Sequence, residues 1–440
     1  MKLLIIADDL SGAADCAIGF ANAGHRTVVT LDASGHAYEE TPDVIAADTD
    51  TRRLTPADAA ERTAQAFSAL GSERRLYKKI DSTLRGNWAA EVAALQARAG
   101  LAIVAPAFPA TGRTVRGGTL LVHGVPLEQT DTWQLEHAGR PANMAVMLAG
   151  AGLKSERFNA ALLHHEPRAL ARRAALIAAE GPEGAQALIV DAETSDDLRA
   201  LARATLELDS AFFWVGSGGL ARELATLEAA SAHDPDDRGG SAPGPILVLV
   251  GSLSAVGERQ CAVLRERVGL AEVVVPPEVL RAGAAHAHWA QWGERIGMTL
   301  GATQKPADLL LRIGRDDAFD PAEGAQLSAM LAALVAPHFA RLGGLIATGG
   351  ETARAMLDAA GIGNLRLIAE IEAGVAVARP HAYDRAHRPA VVTKAGAFGT
   401  DEALYAAWRH LGELRTEMRN ETRADASKQD RTNNLTNNAT

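Results

Sequence analysis

The sequence predicts a two-domain α/β protein in which each domain is a mostly parallel sheet flanked by helices. Three observations carry that prediction. Short apolar runs alternate with helix-length segments, the signature of repeated βα units. The alternation breaks over 230–245, where Ser, His, Asp, Pro and Gly replace apolar periodicity, and it restarts beyond. The 440 residues also exceed what one hydrophobic core ordinarily organises. The expected layout is a domain over 1–229, a linker over 230–245, a second domain over 246–416 and a disordered tail over 417–440.

Leu3–Ala7 is a short buried-strand run, and 12–23 reads as a helix stopped by Gly24. Strands follow at 26–31 and 43–47. Thr55 before Pro56 is an N-cap with proline at the first helical position, so 56–70 is a helix. A strand at 76–80, a helix at 88–99 ended by Gly100 and a strand at 101–105 continue the pattern. Strands at 187–191 and 212–215, each followed by a helix, complete the first domain. In the second domain, strands are expected at 246–250, 272–275, 308–313, 345–347 and 390–393. Helices are expected at 254–268, 323–342, from about 352, and 400–411. The tail is rich in Asn, Thr and Arg and almost without apolar residues; its Asn-x-Thr triplets at Asn420, Asn434 and Asn438 read as chance.

Composition narrows the classes. Hydrophobic residues are 47% and charged residues 22%, which excludes collagen-like, membrane and disordered classes for the bulk of the chain. Aromatics are only 4%, which disfavours an aromatic-rich β-sandwich. The run at Leu3–Ala7 is too short for a signal peptide and meets Asp8 and Asp9 at once, and no run approaches a membrane span. A cytoplasmic protein with no membrane partner is expected. Lys plus Arg is 44 against 54 Asp plus Glu, a net charge of −10, which argues against nucleic acid as a partner. Local basic clusters can still hold small anions. Two cysteines, Cys16 and Cys261, build neither a disulfide framework nor a zinc site, and they read as buried thiols. The pairs His164-His165 and His286/His288 lack zinc-motif spacing.

The chemistry-bearing motifs all stand where a strand ends and a helix begins, the place where open α/β sheets bind ligands. Asp8-Asp9-Leu10-Ser11-Gly12 places two carboxylates after the first strand. Helix capping is the plain role for at least one; orienting a substrate hydroxyl is the sharper one. Asp15 follows a turn later. Lys78-Lys79-Ile80-Asp81-Ser82-Thr83-Leu84-Arg85-Gly86-Asn87 gathers amines, an acid, hydroxyls and a guanidinium at one junction. That mixture suits a small hydroxylated anion, because Arg forks onto a carboxylate while Asp, Ser and Thr suit hydroxyls. Arg52, Arg53 and Arg113 are further anion contacts or ordinary surface charges. The second domain carries three Gly-rich turns: 251–254 with Ser252 and Ser254, 348–352 with Gly349, Gly350, Glu351 and Thr352, and 393–399 with Lys394 and Gly396. Such turns let backbone N–H groups and a helix N-terminus approach phosphate. None matches the Walker A pattern, the dinucleotide fingerprint or a protein-kinase catalytic loop.

Over residues 1–411 the ordered set ADDLSGAAD, KKIDSTLRGN, APAFPATGR, GSLS, TGGET and TKAGAFG resembles the four-carbon acid sugar kinase family. The resemblance implies a sugar-acid domain followed by an ATP domain, with an active site in the interdomain cleft. It implies substrate contacts by Asp9, Arg52, Lys79, Asp81, Ser82, Thr83 and Arg85. It implies nucleotide contacts by Ser252, Ser254, Gly349, Gly350, Glu351, Thr352 and Gly396, and Lys394 is added as a further candidate. Leu10-Ser11, Glu351 and Ala397 depart from the family's common residues. The activity implied is phosphorylation of the 4-hydroxyl of a four-carbon sugar acid with ATP and Mg²⁺. D-threonate is the first expectation, and D-erythronate and 3-oxo-tetronate are alternatives. Asp9, Asp81 and Arg85 are the catalytic candidates, with Asp9 or Asp81 orienting or deprotonating the hydroxyl. The metal ligands stay unassigned, and a homodimer stays open. A nicotinamide-dependent dehydrogenase and a non-catalytic sugar-acid-binding protein are the competing classes.

Overall fold

The computed structural model describes residues 2–34, 41–131, 133–134, 141–227, 243–251, 254–301, 307–318, 320, 323–383, 387–396 and 398–416. The expected linker, apart from 243–245, and the expected tail lie outside these, as do Ser252 and Ala397. Two compact α/β units form. The first comprises the chain up to 227 together with Asn364–Ala369, and the second takes the rest from 243 on.

The first unit is built on β1 (Leu3–Ala7), β2 (Thr27–Thr30), β3 (Val44–Asp48), β4 (Arg75–Lys79), β5 (Leu101–Ala105), a small antiparallel sheet of β6 (Arg113–Arg116), β7 (Thr119–Val122) and β8 (Val125–Pro126), then β9 (Ser155–Asn159), β10 (Ala187–Asp191) and β11 (Phe212–Gly216). The main sheet runs β2-β3-β1-β4-β11-β5-β10-β9, all parallel. Every residue of β1, β2, β3 and β5 is buried, as expected of strands covered on both faces. α1 (Leu10–Asn22) packs beside the helix Gly218–Leu227, while α2 (Pro56–Leu70) packs beside α3 (Trp88–Ala99). Neighbouring lysines on β4 separate these faces. Lys78 meets Glu91 of α3, and Lys79 meets the start of α1.

The second unit is built on β12 (Ile246–Val250), β13 (Ala271–Val275), β14 (Leu309–Ile313) and β15 (Gly344–Thr348). After β16 (Asn364–Glu372) come β17 (Val375–Pro380) and β18 (Ala390–Lys394). The order β13-β14-β12-β15-β18 is parallel, and β17 closes it antiparallel to β18. The start of β16 instead pairs antiparallel with β2, Asn364 opposite Thr30, so that segment joins the first unit.

One local expectation needed revision. The helix expected over 323–342 ends at Val335, and Ala336–Arg341 is a tighter 3₁₀ segment with Pro337 in its first turn, where proline withholds an N–H. The loop after β5 runs on into the β6–β7 hairpin. Gly117 and Gly118 make its two-residue turn with φ of 61° and 76°, the backbone that such a turn demands. The Asp191 carboxylate accepts both of their N–H groups, at 2.8 and 2.7 Å.

Candidate active site

The parallel order places β3, β1, β4, β11 and β5 side by side, so their carboxyl-end loops share one rim. α1 leaves β1 toward one face, and α2 and α3 serve the other, which makes the rim a switch point between opposite crossovers. Asp9 caps α1: its Oδ1 accepts the Gly12 N–H at 2.9 Å. The plain capping role is therefore real, and its second oxygen is held too. Arg52, from the loop after β3, donates Nε and Nη2 to the two oxygens of Asp8 at 2.7 and 2.9 Å and Nη1 to Asp9 Oδ2 at 2.9 Å. Its Nη2 also stands 3.8 Å from Asp81.

The loop after β4 folds around Asp81. Its Oδ1 accepts the Thr83 N–H at 2.7 Å and the Thr83 hydroxyl, and its Oδ2 accepts Arg85 Nη2 at 2.7 Å. The loop bends through Leu84, which is fully buried at φ 57°, a left-handed conformation costly for such a residue and common at functional sites. Asn87 ties this loop to the previous one by donating to the Thr51 and Leu54 carbonyls. Beneath both loops, Lys78 and Glu91 form a fully buried ion pair at 3.0 Å, and Glu91 also accepts the Thr51 and Thr63 hydroxyls.

These contacts sort the acids. Burial alone would raise the Asp81 pKa, but Arg85 and Arg52 outweigh it and hold the carboxyl well below its usual range. Burial is likewise outweighed at Asp8 by Arg52, with Lys78 and Lys79 adding to the effect. Asp8 and Asp81 are thus locked as anions and spent on guanidinium and hydroxyl donors. The Asp9 side chain is the most exposed of the three, at 20% against 3% and 9%. Lys79 and Ser82 are buried and make no hydrogen bond or ion pair among the described residues. Arg113 enters from β6 into electrostatic range of Asp81, Arg85 and Asp15; burial lowers its pKa, and Asp81 opposes that shift. Asp15 accepts Arg222 Nη2 at 3.3 Å.

In the second unit, register brings the three Gly-rich turns abreast. Val250 is opposite Thr348, and Thr348 is opposite Lys394. Ser254 caps the helix Ala255–Val268 and donates to the Gly396 carbonyl at 3.0 Å. Gly349, at φ 99°, caps the helix Gly350–Ala360, which carries Glu351 in its first turn. A Cβ on Gly251 would stand 1.9 Å from Thr352 Oγ1, so that turn admits only glycine. Thr352 also shares a 3.0 Å hydrogen bond with Ser328, while the buried Thr348 hydroxyl has no partner among the described residues. Lys394 behaves differently from the expected phosphate ligand. It is 1% exposed and donates to the carbonyls of Ala395, Gly396 and Phe398, so it braces its own turn; burial brings its pKa down to about 8. The glycine cradle, two helix N-termini and an orphaned buried hydroxyl fit a polyphosphate.

Family comparison matches residues 3–224 to a sugar-binding N-terminal domain and 247–404 to a nucleotide-binding C-terminal domain. The chain belongs to the four-carbon acid sugar kinase family. It is 52% identical to a D-threonate kinase of Cupriavidus necator over 424 residues, 94% of this chain and 99% of that one. It is 35% identical to a D-threonate kinase of Bordetella bronchiseptica, covering 93% and 98%. A 3-oxo-tetronate kinase of Methylobacterium radiotolerans is 33% identical, covering 91% and 96%. A solved Salmonella typhimurium structure shares the fold with a TM-score of 0.76 at 22% identity, covering 93% of this chain and 99% of that one.

For this family member, the structure brings Asp9, Arg52, Lys79, Asp81, Ser82, Thr83 and Arg85 together on one rim of the sugar-binding domain. It brings Ser254, Gly349, Gly350, Glu351, Thr352, Lys394 and Gly396 onto three adjacent turns of the nucleotide-binding domain. Ser252 lies outside the described residues. Residue reading missed Glu91, which carries no motif and sits mid-helix. The available signal was Lys78: a lysine inside a buried strand needs a buried acid. Among the described residues the histidines hold no metal cluster: His164 pairs with Asp197, and His288 donates its backbone N–H to His286. Both cysteines are buried, and burial pushes the Cys261 thiol up to about 11.

Proposed function

We propose that this chain phosphorylates the 4-hydroxyl of a four-carbon sugar acid from ATP, with D-threonate as the substrate. The observation that supports the reading best is the sorting of the three acids on the sugar-binding rim. Asp8 and Asp81 are committed to Arg52 and Arg85, and Asp9 remains the exposed one. Asp9 is then the group that orients the hydroxyl and takes its proton, which narrows the sequence expectation of Asp9 or Asp81. Asp81 is a positioning residue that aims Arg85, and Arg85 with Arg113 is the site for the substrate carboxylate. Arg52 holds Asp9 in place from its other oxygen.

The nucleotide's phosphates belong on the turns at 251–254, 349–352 and 394–396, where backbone N–H groups and two helix N-termini supply the positive field. Mg²⁺ bound with ATP would neutralise the β- and γ-phosphate oxygens. Among the described residues no group of three or more His, Cys, Asp or Glu is arranged to hold a metal ion, so no protein ligand is assigned to it. A cytoplasmic setting accords with this chemistry, and among the described residues no helix is long and apolar enough to cross a membrane.

The test is a coupled ADP-release screen over four-carbon sugar acids of both stereochemical series, with 3-oxo-tetronate included. D-threonate should give the highest kcat/KM, and the product should carry phosphate on C4 by phosphorus NMR. Asp9→Asn should lower kcat by about 10²–10⁴-fold. Near-normal turnover in that variant would remove Asp9 as the base, and a higher kcat/KM for another acid would replace the substrate.

A further inference from the structure

We propose that Lys79 is a catalytic residue of the transfer: its ammonium donates to the oxygen of the attacking hydroxyl, opposite Asp9. The proposal rests on the kinase reading above and assigns the reacting end of the substrate's site.

Lys79 ends β4, is 5% exposed, and makes neither a hydrogen bond nor an ion pair among the described residues. The ammonium reaches the rim surface rather than being sealed in the core, so it is placed to donate to a ligand. Its position says what kind. The point that a Cβ on Gly12 would occupy lies 3.0 Å from Lys79 Nζ and 2.5 Å from Asp9 Oδ1, so the two groups stand close together beside the first turn of α1. Lys79 can only donate, and Asp9 as an anion can only accept. A substrate carboxylate there would satisfy Lys79 and be repelled by Asp9. A hydroxyl satisfies both, because it accepts from one and donates to the other. The carboxylate end then falls to Arg85 and Arg113, which lie within electrostatic range of each other and share the Asp81 side of the rim.

The step balances with the groups named. The hydroxyl proton passes to Asp9. The hydroxyl oxygen bonds to the γ-phosphorus of ATP, and the bond from that phosphorus to the β,γ-bridging oxygen breaks with its electron pair leaving on ADP. Lys79 keeps its proton throughout and offsets the negative charge gathering on the attacking oxygen and the phosphoryl group.

The experiment compares wild type, Lys79→Met and Lys79→Ala. Steady-state ADP release is measured alongside calorimetric binding of D-threonate without nucleotide, with thermal melts confirming that each variant is folded. Lys79→Met should lose about 10²–10³-fold in kcat, the usual cost of removing one charge-stabilising donor. Its sugar-acid dissociation constant and its KM for ATP should stay within about threefold of wild type. Methylammonium should restore part of the kcat of Lys79→Ala. A kcat within about tenfold of wild type would overturn the proposal. So would loss of sugar-acid binding in step with the rate, since Lys79 would then hold the carboxylate. Wild type that releases no ADP with any sugar acid overturns the kinase reading instead, and this assignment with it.

Discussion

Removing Glu91 tests how the sugar-binding rim is held. Its carboxylate is 1% exposed, 3.0 Å from the fully buried Lys78 ammonium, and it accepts hydroxyls from Thr51 and Thr63. Glu91→Ala leaves a buried ammonium without its partner, and breaking such a pair from one side costs about 3–5 kcal/mol. The two threonine hydroxyls lose an acceptor each, a loss of about 1 kcal/mol apiece that partly overlaps the first. A net destabilisation of about 4 kcal/mol corresponds to a fall of about 10 °C in Tm for a domain of this size. The double variant Lys78→Met with Glu91→Leu removes both charges and refills the space, and it should recover to within about 1–2 kcal/mol of wild type.

The assay is urea unfolding of wild type, both singles and the double, with the transition of the sugar-binding domain followed by circular dichroism and by tryptophan fluorescence. Trp88 opens α3, three residues before Glu91, and reports locally. The expected result is a coupling energy of several kcal/mol. A Glu91→Ala cost below about 1 kcal/mol, or a double variant equal to the sum of its singles, would refute the claim that this pair braces β4 against α3.

Two further outcomes follow from the geometry. Gly251→Ala drives a methyl into Thr352 Oγ1 between two of the glycine turns, so KM for ATP should rise by about tenfold or more while calorimetric sugar-acid binding is unchanged; an unaltered KM would place the phosphates elsewhere. Asp8 and Asp81 have folded-state pKa values below their unfolded ones. Their stabilisation is therefore complete above the unfolded value of about 3.9 and is lost as pH falls through the folded values. Unfolding free energy should decline on acidification below about pH 4, and more shallowly in Asp81→Asn; equal slopes in the two proteins would contradict the locked-anion description of Asp81.

Much of this was legible in the sequence because parallel strands covered on both faces read as unbroken apolar runs. LLIIA, LAIVA and ILVLV announce β1, β5 and β12 directly. Thr55-Pro56 and Ser254 announce helix starts by capping chemistry. Adjacency was not legible. Nothing local says that β11 inserts between β4 and β5, or that Asn364 pairs with Thr30 across more than three hundred residues. Gly117-Gly118 is itself a hairpin signal, since two adjacent glycines take the positive φ that a two-residue turn needs. Side-chain commitments were also hidden. A lysine before a glycine turn looks the same whether it binds phosphate or, as Lys394 does, the turn's own carbonyls. Period-two alternation does send Lys78 and Lys79 to opposite faces, but only packing reveals that Lys78 finds Glu91 while Lys79 finds no partner among the described residues.

The arrangement also resolves how a chain of net charge −10 recognises anions. Charges beyond about 8 Å are largely screened at physiological salt, so the remote acidic surface contributes little at the rim. The acids on the rim do not oppose the ligand; they aim the cations. Asp8 takes the Arg52 fork in two-pronged geometry, and that fork reaches on to Asp9; Asp81 fixes Arg85. A guanidinium held this way presents its remaining N–H groups in a set direction, and less rotamer entropy is lost when the ligand arrives. Lys79 makes no such pairing among the described residues, and it lies beside the most exposed acid. Charge pairing thus separates the rim into a more enclosed part around Asp81 and Arg85, suited to holding a carboxylate, and the more exposed Asp9, which keeps its Gly12 and Arg52 contacts beside Lys79 and is suited to a group that must both give a proton and accept a hydrogen bond. A hydroxyl meets both requirements at once, so under the proposed assignment the same rim would hold the acid's carboxylate and activate its alcohol.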